Sequence, residues 1–330
     1  MKRRWLAIPA ALAAVALVLT GASYVIYGRS PQATVYEWQL RRRFATDRTA
    51  QEEVERLNRR REKRESDGGW PEDVTFRTSA REREFGGMKV FALNWEMGDA
   101  IAVYLHGGAY INGFNAYQWR FMDALAAEGH CRVIAPAYHL APWGDCARAY
   151  RDLTALWAVL TEANPEAHIV LMGDSAGGGL ALGLAQQLRQ DGSRLPDRLI
   201  LLSPWVDVSM DNPDIQGYID AEPILHLDLV KVHGKFWAGE LDVHDWHASP
   251  LYGGMAGLPP VTIYCGTREM LCPDILLAAE KLAAAGTEVD LKLGRGLNHD
   301  YPLMPIPEGR AAAREILSQF ARLEGNRIGT

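Results

Sequence analysis

Three side chains, far apart in the chain, are of the types that together activate a nucleophile: Ser175, Glu269 and His299. A serine hydroxyl is weakly nucleophilic at its own pKa and needs a base, which in turn needs an acid to hold it. Ser175 lies in Gly173-Asp174-Ser175-Ala176-Gly177, between the apolar run HIVLM and the small-residue stretch GGGLALGLAQ. G-x-S-x-G between a strand and a helix describes a sharp, strained turn that leaves the serine projecting alone, provided its flanks carry no side chains. His299 sits in a turn, GLNHDYPL, after the last strand-like run. The acid should come from the loop GTREMLCPD that follows VTIYC. Glu269 stands three residues past Gly266 and is assigned the orienting role. Asp274 is the alternative; it stands where a helix starts, a place aspartate often fills as a cap. Asp300 adjoins His299, but neighbouring side chains in an extended turn diverge, so it is set aside.

Acyl transfer also needs donors for the negative oxygen of the tetrahedral intermediate. The loop YLHGGAY (104–110) follows a strand-like run and precedes the serine. Its glycines let backbone approach a substrate carbonyl. The amides of Gly108, Ala109 and Ala176 are the expected donors, the last helped by the N-terminus of the following helix. His106 and Gly107 belong to the same loop.

These residues must be positioned by a regular frame. Strand-like segments (VTFRT, MKVFALN, IAVYL, CRVIAPAY, HIVLM, RLILLSP, VTIYC, VDLKL) are interleaved with helical ones (YQWRFMDALAAEG, CARAYRDLTALWAVLTEA, DILLAAEKLAAAG, GRAAAREILSQFARL). Such alternation predicts a mostly parallel sheet flanked by helices. The order Ser…acid…His along the chain matches the α/β-hydrolase arrangement. Residues 207–256 break the rhythm, and an insertion above the C-terminal strand ends would fit, because ligands bind there in open α/β sheets. Residues 71–330 are read as one domain, with cap elements from 29–70 and 207–256.

The N-terminus reads differently. Lys2, Arg3 and Arg4 precede a run without charge from Trp5 to Gly28. That is long enough to cross a bilayer, with Trp5 at one end and Tyr24 and Tyr27 at the other as interfacial aromatics. Residues 1–28 are therefore expected to be a single transmembrane anchor with the body outside the cytoplasm. A cleaved signal peptide and secretion are the alternative. Residues 29–70 read as a basic helical stalk, ended by SDGGWP; Glu52–Arg56 and Glu55–Arg59 are helix-spaced ion pairs.

Charge separates the two parts. Residues 1–64 carry a net +8 and the remainder −14. So acidic a body argues against a nucleic-acid partner. The four cysteines (Cys131, Cys146, Cys265, Cys272) include no C-x-x-C pair, so they are read as free thiols. Asp242, His244, Asp245 and His247 in LDVHDWH have ligand chemistry but no scaffold to fix it, and read as a polar surface loop. Trp143, Trp205, Trp237 and Trp246 read first as packing residues, with pocket lining as the functional alternative. No metal or cofactor is expected, and the oligomeric state is left open.

The body resembles the α/β-hydrolase fold, specifically the hormone-sensitive-lipase-like esterases and lipases. The resemblance rests on His106-Gly107-Gly108-Ala109-Tyr110, Tyr138-His139-Leu140-Ala141-Pro142, Gly173-Asp174-Ser175-Ala176-Gly177-Gly178, Ser203-Pro204-Trp205 and the turn around His299, in family order from about residue 74 to 323. Three departures stand out. Ala109 replaces the last glycine of the family's His-Gly-Gly-Gly, His139 replaces an arginine, and the acid is usually aspartate. In this family His106 supports the loop and does no chemistry. The resemblance implies a serine hydrolase of small or medium carboxylic esters acting through an acyl-enzyme. A deacetylase or amidase with the same triad, or a binding module on a silent hydrolase fold, are the alternatives.

Overall fold

The computed structural model describes residues 21, 23–63, 69–96 and 99–325. Eight strands form one sheet: β1 (Ala80–Phe85), β2 (Met88–Leu93), β3 (Ala100–Leu105), β4 (Arg132–Pro136), β5 (His168–Asp174), β6 (Arg198–Leu202), β7 (Val261–Gly266) and β8 (Val289–Gly294). Their order is β1-β2-β4-β3-β5-β6-β7-β8. The run from β4 to β8 is parallel, while β1 and β2 are antiparallel to their neighbours.

The central strands are apolar throughout because both faces of the sheet are covered. In β3, Ile101, Val103 and Leu105 join one core; Ala100, Ala102 and Tyr104 join the other. The first core is closed by α4 (Cys146–Ala163), α5 (Ser175–Gln190) and α7 (Cys272–Ala284), through Leu153, Leu184 and Ile275. The second is closed by α3 (Ala116–Glu128) and α8 (Pro307–Gly325), through Trp119, Met122 and Phe320. At the edge, the sequence expectation fails locally. VTFRT is not a strand; the first strand is the charged AREREF one segment later. It faces solvent almost throughout and pairs with β2 alone, so no apolar alternation announces it.

Residues 29–63 hold α1 (Pro31–Phe44) and α2 (Ala50–Arg61), both folded against the body. Thr49 and Glu52 form a reciprocal cap at the start of α2. Buried Glu53 of α2 accepts from Arg48 and Arg56 and meets His233 Nε2 at 2.7 Å. His233 belongs to α6 (Leu227–Ala238), inside the 207–256 insertion. Leu57 fills a small apolar cluster with Ile111 and Ala141. The expected membrane span lies outside the described residues up to residue 20; its final part, Ser23–Tyr27, forms a single π-helical turn. Among the described residues, no helix is long and apolar enough to cross a membrane.

Candidate active site

β5 ends at Asp174 and α5 begins at the next residue, leaving no room for a loop. Ser175 makes this turn in the left-handed region, at φ +51°. That costs a non-glycine residue on the order of 1–3 kcal/mol. The elbow also explains its glycines. A Cβ on Gly177 would sit 2.0 Å from the Leu105 carbonyl oxygen, and one on Gly173 2.4 Å from that of Gly177. Either would push the elbow off β3.

The three segments named from sequence converge here. Ser175 Oγ lies 2.9 Å from His299 Nε2, and His299 Nδ1 lies 2.7 Å from Glu269 Oε2. Shared with a carboxylate, Nδ1 keeps its proton, which leaves Nε2 to accept from the Ser175 hydroxyl when the ring is neutral. Glu269 is fully buried, and its Oε1 accepts from Gly266 N–H at 2.7 Å and Ser203 Oγ at 3.0 Å. Asp274 is elsewhere: it lies in the first turn of α7 and accepts from Asn212 Nδ2 at 2.7 Å. Burial raises its pKa to about 6.

The glycine loop is fastened to the elbow through Asp174. One carboxylate oxygen accepts from Tyr104 hydroxyl (2.6 Å) and Gly107 N–H (3.0 Å), the other from Gln118 Nε2 (2.8 Å). His106 is buried and stacks on Tyr138, whose hydroxyl donates to the His106 carbonyl at 2.6 Å. Burial lowers the His106 pKa to about 4, so the ring is neutral. Gly108 and Ala109 take φ +128° and +54°. The Gly108 carbonyl turns inward to accept from Ile111 and Asn112 N–H. Peptide planarity then sends Ala109 N–H the opposite way. Ala176, in the first turn of α5, has an N–H without an intrahelical partner.

Four groups to which the sequence assigns no role belong to this site. Asp300 does not diverge: its own left-handed φ of +57° turns the carboxylate back, to 3.4 Å from His299 Nε2. Ser203, besides donating to Glu269, accepts from Asp300 N–H at 2.9 Å, so one hydroxyl ties the acid loop to the histidine loop. Glu222 is buried and accepts from Met270 N–H at 3.0 Å, fixing the residue after Glu269. Arg29 is buried and donates to Gly296 carbonyl at 2.8 Å and Asn298 Oδ1 at 3.1 Å, just before His299. Asp300 and Glu222 carry no local pattern, Ser203 entered only as part of Ser203-Pro204-Trp205 with no role of its own, and Arg29 is simply the first charge after the uncharged run.

Electrostatically, His299 sits among acids. Burial alone would lower its pKa, but Asp300, then Glu269, then Glu222 outweigh this and push it up to about 10. Burial in turn raises Asp300 well above the usual carboxylate range, opposed by His299.

A cavity of about 580 Å³ opens over Ser175 and His299. Its walls include Gly108, Ala109 and Asp300, then Leu225 and Leu229 of the insertion, and Tyr36, Leu40 and Arg43 of α1. None of the four tryptophans lines it among the described residues. Trp205 and Trp237 are packed on Tyr110, Trp246 on His247, and Trp143 donates to the Lys63 carbonyl. In the LDVHDWH loop, His244 pairs with Asp242 and His247 with Asp245, as two separate turns.

Comparison with known proteins agrees with this geometry. Residues 102–303 match the family described as having the α/β hydrolase fold. An acetyl-hydrolase of Streptomyces hygroscopicus is 32% identical over 226 residues, 67% of this chain and 74% of that protein. An esterase of Acinetobacter venetianus is 28% identical over 225 residues, again 67% and 74%. The crystal structure of an esterase from the bacterial hormone-sensitive lipase family superposes with a TM-score of 0.73 at 25% identity, covering 89% of this chain and 99% of that one. With more than half its length matched to the family model, the chain belongs to the α/β-hydrolase family, in its hormone-sensitive-lipase-like group of esterases and lipases.

Proposed function

We propose that this enzyme hydrolyses carboxylic esters of small or medium acyl groups through a covalent acyl-serine. The observation that carries the reading is the unbroken relay from Glu269 through His299 to Ser175, opening directly into the cavity. Ser175 Oγ attacks the ester carbonyl while His299 Nε2 takes its proton. Glu269 fixes the ring and stabilises the imidazolium. The N–H groups of Gly108, Ala109 and Ala176 receive the oxyanion. His299 then protonates the departing alcohol, and a water, deprotonated by the same nitrogen, releases the acid. Ala109 brings a methyl group to the cavity wall where a glycine would leave space, which supports a compact acyl group. The acetyl-hydrolase among the relatives supports the same size class.

For location, we read the uncharged run Trp5–Gly28 as a membrane anchor with the catalytic body outside the cytoplasm. The test of the hydrolase reading is release of nitrophenol from short-chain nitrophenyl esters. Ser175→Ala should lose turnover by on the order of 10⁴-fold or more while keeping its fold by circular dichroism. A wild-type protein as inert as the mutant, across acyl lengths, would leave a binding module as the better reading.

A further inference from the structure

Among the described residues, the outer face of α1 has no partner. Ala33, Glu37 and Leu40 point into the body, whereas Val35, Trp38 and Arg42, three and four residues apart, share the opposite side of the helix. Val35 is 54% exposed and Trp38 56% exposed, with the Arg42 guanidinium 4.6 Å from the Trp38 ring centroid. The preceding turn exposes Tyr24, Val25 and Ile26 even more fully. A tryptophan, small aliphatics and arginines on one face is the composition of a surface lying at lipid headgroup level.

The connection to the uncharged run is short and rigid. Only Arg29 and Ser30 separate Gly28 from α1, and both are buried. Arg29 is bonded to Glu37, Gly296 and Asn298; Ser30 Oγ donates to Glu308 Oε2 at 2.8 Å; Ser23 and Thr34 share a hydroxyl–hydroxyl bond of 2.7 Å. These contacts fasten the described end of the run, from Ser23 onward, to the body. Of the three consecutive arginines, Arg41 is used internally, on Glu37 and the Asp220 and Ala221 carbonyls, while Arg42 and Arg43 are exposed and free to meet anionic headgroups.

We propose that the outer face of α1, with the Tyr24–Ile26 turn, seats on an anionic lipid bilayer. This rests on the membrane placement proposed above. Because Tyr36, Leu40 and Arg43 of the same helix wall the cavity, the cavity then lies behind this helix, about 10 Å, one helix diameter, from the bilayer.

The test uses the full chain reconstituted into nanodiscs of phosphatidylcholine and phosphatidylglycerol. The native cysteines are all buried, so a cysteine at position 38 (Trp38→Cys) or 35 (Val35→Cys) can be labelled selectively with an environment-sensitive fluorophore. Val159→Cys on α4, equally exposed, is the control. Lipids spin-labelled near the headgroup should remove most emission from positions 35 and 38 and leave position 159 bright. Equal emission at all three sites in disc-bound protein overturns the proposal, as does a chain that stays out of the discs. Nitrophenyl ester turnover on the same samples reports separately on the hydrolase reading.

Discussion

His299 is surrounded by more negative charge than one orienting acid supplies. Glu269 bonds Nδ1, Asp300 reaches towards Nε2, and Glu222 and Asp174 add to the field from the insertion and the elbow. The base works only when neutral, and a pKa raised to about 10 means that neutral imidazole accumulates on the alkaline side. The value of kcat/KM should therefore rise from neutral to alkaline pH. Removing a negative neighbour lowers the histidine pKa, so Asp300→Asn should shift the acidic limb of the profile to lower pH. An unmoved limb would mean that Asp300 is already protonated there. The choice of acid is tested beside it. Glu269→Gln should reduce kcat by on the order of 10³–10⁴-fold, the scale expected when a triad histidine loses its orienting carboxylate. Asp274→Asn, whose carboxylate meets Asn212 and not the histidine, should stay within a few-fold of wild type. The reverse ranking would reassign the acid. At this scale the sequence was informative where chemistry coincides with a local pattern. G-x-S-x-G located Ser175, and strand ends located Glu269 and His299. Asp300 was misjudged because its backbone conformation, and not its neighbourhood in sequence, sets where the carboxylate goes.

Among the elements, the parallel strands and the helices covering them were readable because burial on both faces demands uninterrupted apolar runs; α4 was delimited to the residue. β1 was not, since an exposed charged strand has no such signature. The docking of α2 was equally hidden. Its polarity suits a solvated helix, yet one acid, Glu53, is buried and bonded to His233 of α6, 180 residues away. Burial lowers the His233 pKa, against the pull of Glu53, and the arginines help keep the carboxylate ionised. Glu53→Ala leaves His233 and the guanidinium of Arg56 without this acceptor. A buried ion pair that loses one member costs about 3–5 kcal/mol. The lower value is expected here because Arg48 and Arg56 reach solvent. Urea unfolding should report the loss, and trypsin should cut earlier in the arginine-rich end of α2. Unchanged stability would mean that α2 is held by Leu57 and its apolar neighbours alone.

Across the whole molecule, residues either side of the uncharged run's end do the joining. Arg29 links the N-terminal segment to the loop that carries His299, over 267 residues of sequence. Arg29→Ala removes that link and strips Glu37 of one partner, though Arg41 and Arg268 remain. A loss of about 3 kcal/mol in stability is expected, together with a lower kcat at unchanged KM, since the histidine is displaced and the cavity walls are not. A rise in KM without a change in kcat would show that Arg29 shapes the cavity instead. No periodicity or motif could announce this contact, because its two ends share nothing but the folded state.

The cavity also has a history written into its walls. Residues between 36 and 48 line it together with residues between 299 and 304, and the fastening at Ser30 waits for Glu308. During synthesis α1 therefore lacks its fastening until Glu308 is made, whereas Ile111, Ala141 and His233, the partners of α2, are made earlier. A nascent chain that has already formed its serine elbow still lacks both its base and its enclosed chamber. Hydrolytic competence thus waits for the segment that carries His299 to reach Ser175 across 124 residues of sequence.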